Sequence, residues 1–198
     1  MELRFAPRGI IEIYDAHILK GAWCNFSGEA SQYNAEGDRN FNILIEDRDL
    51  TQEEVDNFLD IYPEAFVDEA PDGPVVKYNN DEIATASDLL KALGYNVKIR
   101  QPKVEDQEPF EYLKIKVKFN DYGPIAKLIV NRRQVNLNES TIGSLDRIAI
   151  ANCDLAIRPY DWNSAMGSGR TAYLEKIYIT QEIDRLSEKY SETEYPHE

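Results

Sequence analysis

Thiols and imidazoles, the side chains of zinc sites and of thiol redox chemistry, are scarce in this chain. Its 198 residues include two cysteines, Cys24 and Cys153, and two histidines, His17 and His197, none at the spacing of a zinc site. A reducing compartment keeps both cysteines as thiols, so a structural disulfide is not expected. No uninterrupted apolar run approaches the ~18 residues of a membrane span. The opening Met-Glu-Leu-Arg-Phe-Ala-Pro-Arg has no apolar stretch ending in a small-residue cleavage site, which makes the cytoplasm the expected location. A phosphate-cradling G-x-x-x-x-G-K-[ST] loop is missing, because Gly167-Ser-Gly-Arg170 is too short and lacks the lysine. Without Gly-x-Ser-x-Gly, two distant histidines give a hydrolytic triad little to work with. Acid pairs such as Asp47 with Asp49, or Glu53 with Glu54, are unavoidable among 36 acids. The expectation is a protein that is not an enzyme, with no catalytic residue, no metal and no cofactor.

Acid is what the chain has in excess: 36 Asp+Glu against 22 Lys+Arg, a net charge of −14 and a pI near 4.6. The excess is unevenly spread. Residues 46–82 hold 13 acids and 2 bases, net −11, and residues 181–198 hold 6 acids and 2 bases, net −4. The remaining residues are close to neutral, so two acidic segments hang from a balanced body.

That body reads mostly as strands, with runs rich in Ile, Val, Tyr and Phe between Gly, Pro, Asn and Asp clusters. Strands are expected near 9–19, 39–45, 96–101, 112–119, 125–130, 152–158 and 171–179. Thr51-Gln-Glu-Glu54 is a capping box and predicts a helix over about 52–60. Ser87 as N-cap and Gly94 as C-cap predict a second around Leu89, Leu90 and Leu93. Ser140–Ile148 and Thr180–Tyr190 are weaker helical candidates. Asp60–Ala86, acidic and rich in Pro and Asn, reads as a long excursion rather than core. Gln101–Pro109 reads as a hairpin tip. The fold class that follows is mainly β, an OB-fold-like Greek-key barrel with short peripheral helices. Residues 1–180 are expected to form one such domain with an acidic insertion at 46–86, and residues 181–198 an acidic C-terminal helix and tail.

The sharpest local pattern is Tyr112-Leu-Lys-Ile-Lys-Val-Lys-Phe119. Strand alternation sends Leu113, Ile115, Val117 and Phe119 one way and Tyr112, Lys114, Lys116 and Lys118 the other. The preceding strand repeats the pattern, with Val97 and Ile99 inward and Lys98 and Arg100 outward. Such a row of cations is costly unless an anion answers it, although solvated lysines guarding an edge strand give the same pattern. Aromatic rings stand beside basic residues elsewhere as well. Trp23 and Phe26 lie in a glycine-bracketed loop followed by Tyr33 and Arg39, and Arg158-Pro-Tyr160-Asp-Trp162 ends a strand before Tyr173. Rings stack on unpaired bases and cations follow phosphates, which is the requirement for binding single-stranded nucleic acid. Trp23 and Trp162 could equally plug the ends of a barrel.

Arg8-Gly-Ile-Ile-Glu-Ile-Tyr-Asp-Ala16, Asn25-Phe-Ser-Gly28, Gly37-Asp-Arg-Asn-Phe41, Gly94-Tyr-Asn-Val-Lys98, the lysine-rich strand and Ile157-Arg-Pro-Tyr-Asp-Trp162 together resemble a family. It is that of phage-encoded OB-fold single-stranded DNA-binding proteins, and the resemblance covers roughly residues 4–45 and 94–190. It implies an OB barrel, DNA bound through aromatic and basic residues, and an acidic C-terminal tail that contacts phage or host replication proteins. The expected function is single-stranded DNA binding without sequence preference in phage replication or recombination, by a monomer or homodimer in the infected bacterial cell. The expected DNA-binding residues are Tyr112, Lys114, Lys116, Lys118, Lys98, Arg100, Trp23, Phe26, Arg39, Arg158, Tyr160 and Trp162. The alternative is an acidic protein-binding factor or DNA mimic acting on a basic partner.

Overall fold

The computed structural model describes residues 1–184 and 186. In chain order the elements are β1 (Glu2–Phe5), β2 (Ile11–Tyr14), β3 (Cys24–Asn25), β4 (Arg39–Ile45), α1 (Gln52–Ile61), β5 (Phe66–Ala70), β6 (Gly73–Tyr78), β7 (Asp81–Ile83) and α2 (Ala86–Ala92). There follow β8 (Lys98–Arg100), β9 (Phe110–Val117), β10 (Ile125–Val130), β11 (Arg133–Leu137), β12 (Ile150–Ser164) and β13 (Gly167–Gln181). The larger sheet runs β1-β2-β12-β13-β9-β4-β3, with β8 beside β9 and the β10–β11 hairpin beside β13. The fold is mainly β and OB-fold-like with short peripheral helices, but among the described residues this path of strands does not close on itself into the expected barrel.

β12 and β13 form one long hairpin that gives the sheet its switch. The first half of β13 meets β9 in parallel at Ala172 and Tyr173, and after a bulge its second half meets β10 in parallel from Lys176 to Thr180. One strand can serve two partners in succession because the bulge turns it. β12 pairs with β2 only over Leu155–Ile157, so from Pro159 onward it is an edge strand, where proline's missing N–H leaves no ladder bond unmade. Inward residues of β1, β2, β4, β9, β12 and β13 share one core with Phe58 of α1, Leu89 and Leu90 of α2 and Leu145.

α1 forms as its capping box predicts: Glu54 N–H donates to Thr51 Oγ1 and Thr51 N–H to Glu54 Oε1. α2 differs by two residues at its start. Its N-cap is Thr85, boxed with Asp88, while Ser87 lies buried inside the helix, and Gly94 follows the C-cap with φ 96°. Ser140–Ile148 contains a 3-10 turn over Ile142–Asp146.

The excursion expected over Asp60–Ala86 is a three-stranded antiparallel sheet, β5-β6-β7. Val76 and Ile83 reach the core, and Tyr78 packs edge-on against Phe58 and Tyr62 at 5.6 Å from each. Proline and Asn-Asn mark the turns between these strands rather than a break in order. Thr180 and Gln181 close β13 where a helix is expected. The rest of that helix and most of the acidic tail, residue 185 and residues 187–198, lie outside the described residues.

Candidate nucleic-acid interface

β9 is the floor of the site. Its alternation holds: Leu113, Ile115 and Val117 are buried, while Tyr112, Lys114 and Lys116 face outward. Lys118 is exposed one residue past the strand's end. The neighbours extend the outward row sideways, because residues directly opposite in a ladder share a face. β8 sets Lys98 beside Tyr112 and Arg100 beside Phe110. β4 sets Asn42 beside Lys114 and Asn40 beside Lys116. β13 sets Tyr173 beside Lys116, and β12 continues with Arg158, Tyr160 and Trp162 opposite Tyr173, Thr171 and Gly169. A single face thus crosses five strands.

Two depressions share Lys98 and Lys114 and make this face a trough. One, about 630 Å³, reaches Trp23 and Tyr33; the other, about 390 Å³, reaches Lys116, Trp162 and Arg170. Lys98, Lys114 and Lys116 have no carboxylate partner among the described residues. The trough therefore concentrates positive charge that the protein itself leaves unanswered, between rings at both ends.

Each end is held differently. At the first, Trp23 meets Tyr112 edge-on at 4.8 Å and Phe110 at 6.0 Å, with the Arg100 guanidinium 5.9 Å from its ring. Asp146 pins the Trp23 loop: its carboxylate accepts the N–H groups of Phe26 and Ser27 at 2.8 and 2.9 Å and the Cys24 thiol at 3.1 Å. Burial first, and then the bond to Asp146, pushes that thiol up to about 12, so it remains a neutral donor at physiological pH. At the second end, Trp162 lies across Gly169, where a Cβ would stand 2.7 Å from the indole Cζ2. Only glycine allows the ring to lie there. Arg170 ties this exposed arm to the body through a two-pronged pair with Asp161, at 2.7 and 3.1 Å, and a bond to the Leu93 carbonyl at 2.8 Å. Hydrogen bonding to Arg170 lowers the Asp161 carboxyl below its usual range.

Not every expected residue lies on the face. Phe26 is fully buried and stacks on Phe41 at 4.7 Å, because Asp146 captures its backbone and turns the ring inward. Arg39 falls on the inward parity of β4 with Phe41 and Ile43, and its guanidinium goes to Glu139 at 3.3 Å. Arg158 is on the face with its charge engaged, 5.1 Å from the Tyr173 ring and 3.5 Å from Glu175. Ile99 is 54% exposed rather than inward-packed, since β8 is a short edge strand with an open cleft between it and α2. Sequence reasoning missed Phe110, which one more step of the β9 alternation finds. It also missed Asp146, Asn40 and Asn42, whose roles depend on partners distant in sequence. Both cysteines are free. Among the described residues no cluster of His, Cys, Asp or Glu is placed to hold a metal, and no helix is long and apolar enough to cross a membrane.

No curated protein matches the chain. Among solved structures it is similar to the single-stranded DNA-binding protein from bacteriophage Enc34. The form in complex with ssDNA has 10% identity and a TM-score of 0.46, with 93% of this chain and 97% of that one covered. A C-terminal truncation of the same protein has 12% identity and a TM-score of 0.45, with 92% and 95% covered. The family model described as "Putative phage ssDNA-binding domain" matches residues 74–197, more than half of the chain and the part that carries β8, β9, β12 and β13. The chain that builds this ring-and-lysine trough belongs to the phage single-stranded DNA-binding domain family.

Proposed function

We propose that the protein coats single-stranded DNA during phage replication or recombination, in the cytoplasm of the infected cell, by laying the strand along the β9 trough. The observation that carries this reading is the shared face on which Trp23, Phe110, Tyr112 and Trp162 flank Lys98, Lys114 and Lys116. Stacking on rings and pairing of lysines with phosphates need no fixed base sequence, so the strand is held wherever it is unpaired. A duplex hides its base faces and offers only phosphates. Trp23, Tyr112 and Trp162 stack bases, Lys98, Arg100, Lys114, Lys116 and Lys118 follow the backbone, and Tyr160 and Arg158 continue the path beyond Trp162. The acidic tail serves replication proteins, and the protein acts as a monomer or homodimer without catalysis.

The test is binding of a fluorescent oligo-dT across a salt series. Three to five phosphate contacts give a slope of log affinity against log salt of roughly −2 to −3.5, at about 0.7 per phosphate. Absence of binding at low salt overturns the proposal and favours the acidic, protein-binding alternative.

A further inference from the structure

Asn40 and Asn42 occupy costly positions. Both are only 7% exposed, on a strand whose alternate residues Phe41 and Ile43 are fully buried, and a buried amide needs partners for both its ends. Each has them for one end. Asn42 Nδ2 donates to the Trp23 carbonyl at 2.8 Å, and Asn40 Nδ2 donates to Asn34 Oδ1 at 2.9 Å.

Amide oxygen and nitrogen are told apart by their partners, and here the partners leave no choice. A backbone carbonyl only accepts, so Asn42 must turn its NH2 toward Trp23. Asn34 commits its own NH2 to the carbonyls of Glu29, Ala35 and Asp38 at 3.2, 2.9 and 2.8 Å. Its oxygen is then what faces Asn40, which must also present NH2. The polar atom left on each of Asn40 and Asn42 is a carbonyl oxygen that accepts no hydrogen bond from the described residues. Neither oxygen is among the buried atoms without a partner, and both side chains line the trough beside Lys114 and Tyr112.

We infer that Asn40 and Asn42 are base-reading subsites whose fixed carbonyl oxygens accept the exocyclic amino group of a nucleobase, so that the trough favours amino bases over those with a carbonyl there. The inference rests on the reading of this trough as the single-stranded DNA interface. Unpaired bases expose their Watson–Crick edges, which is where single strands are read. Cytosine, adenine and guanine carry an exocyclic amine on that edge. Uracil and thymine place an oxygen where cytosine has N4, and an oxygen set against Oδ1 joins two acceptors with no proton between them; their one donor on that edge, N3–H, lies in the ring and reaches Oδ1 only if the stacked base shifts. Asn40 and Asn42 are two residues apart on one strand, about 7 Å by strand rise, so they address successive positions rather than one base edge. Because stacking on Trp23 and Tyr112 accepts any base, the result is a graded preference in composition rather than a recognition sequence.

Oligo-dC and oligo-dU of equal length decide the matter, since the two bases have the same ring and differ in N4 against O4 and in the N3 between. With the full chain at slightly alkaline pH, fluorescence anisotropy is expected to show oligo-dC bound roughly threefold to tenfold more tightly, the scale of one or two net hydrogen bonds. An oligomer of pyrimidin-2-one, which is cytosine without its amine, is expected to fall to the oligo-dU level. Asn40→Ala and Asn42→Ala are expected to bring the ratio toward one, whereas Lys114→Ala weakens both oligomers by the same factor. Equal affinity for oligo-dC and oligo-dU overturns the inference while leaving single-stranded DNA binding intact. A preference retained by the pyrimidin-2-one oligomer, or by both asparagine variants, assigns it to stacking and also overturns the inference. Failure to bind any oligomer overturns the trough reading itself. If the asparagine variants do not fold, the pyrimidin-2-one comparison on the unaltered protein still decides.

Discussion

The β9 face and the acidic wing, α1 with β5–β7, are both charged and both built on β-strands, yet they treat their charges in opposite ways. Residues 46–82, the wing with the turn that leads into α1, contain two bases, and each is held by acids. Arg48 grips the buried Glu54 at 2.7 Å, and Lys77 reaches Asp68 at 3.2 Å and Glu82 at 3.7 Å. The face leaves Lys98, Lys114 and Lys116 without a carboxylate partner among the described residues. A wing that uses its bases internally presents a surplus of carboxylates, and a face that pairs none of these lysines presents a surplus of ammonium groups. The difference teaches that a net charge of −14 does not argue against a polyanion ligand. On the proposed reading, the carboxylates of the wing repel a DNA strand and the β9 face attracts it.

The largest expected effect lies in the wing. Glu54 is 2% exposed and accepts from Arg48, from Thr51 N–H and from Leu3 N–H, which ties α1 to β1. Glu54→Ala removes the two-pronged partner of Arg48, leaving it Glu46 at 3.8 Å and the Asp49 carbonyl at 3.0 Å, frees the Thr51 and Leu3 N–H groups, and is expected to cost about 3 kcal/mol in denaturant unfolding. The salt slope for DNA should not move, and a change there would break the division between wing and face. Burial alone pushes the Glu54 carboxyl up, but Arg48 and the two N–H donors outweigh it and hold the group at about 2, below its ordinary 4.5. A depressed carboxyl contributes its stability fully above the ordinary value and loses it as pH falls through the folded one. Unfolding midpoints should therefore drop between about pH 4.5 and about pH 2, and less steeply in Glu54→Gln.

Ring removal comes next. Tyr112→Ala and Trp162→Ala are each expected to weaken DNA binding by about 1–3 kcal/mol per stacked base. Trp162 sits on an exposed arm, so its loss should leave the melting temperature nearly unchanged, whereas Phe26→Ala should cost about 3–5 kcal/mol of stability with no direct loss of affinity. Gly169→Ala displaces the indole from its seat and should reproduce part of the Trp162→Ala loss. Affinity unchanged in Trp162→Ala would end the trough at Lys116.

Smaller still is the effect of one charge. Lys114→Ala and Lys116→Ala should each flatten the salt slope by about 0.7, the share of one phosphate. Arg39→Ala, inward and paired with Glu139, should not alter it; if it does, strand parity is not what selects the contacts. The smallest effect is expected from neutralising Asp68, Glu69 and Asp72, none of which lines the trough. Less than about a twofold gain at low salt, vanishing as salt rises, fits exposed carboxylates acting at a distance. A large gain would mean that the wing folds over the face and competes with phosphate.

Local pattern by itself determined the β9 alternation, the α1 capping box, the strands at 39–45 and 125–130, and the split of charge between body and acidic segments. These rest on periods of two residues and on contacts three residues apart, which a chain carries in its order. Only the tertiary structure decided that Phe26 turns inward while Trp23, three residues earlier, joins the face. That depends on Asp146, 120 residues away from Phe26, taking up a backbone N–H. The same holds for Trp162, whose place over the floor of the trough needs Gly169 beneath it and Arg170 reaching across to Leu93. It holds too for Asn40 and Asn42, which read as ordinary strand residues until Asn34 and the Trp23 carbonyl fix which atom they turn to the groove. A side chain's parity is local. Which neighbour answers its polar atoms depends on loops brought together by the fold, and for the asparagines that answer decides what is left for a ligand.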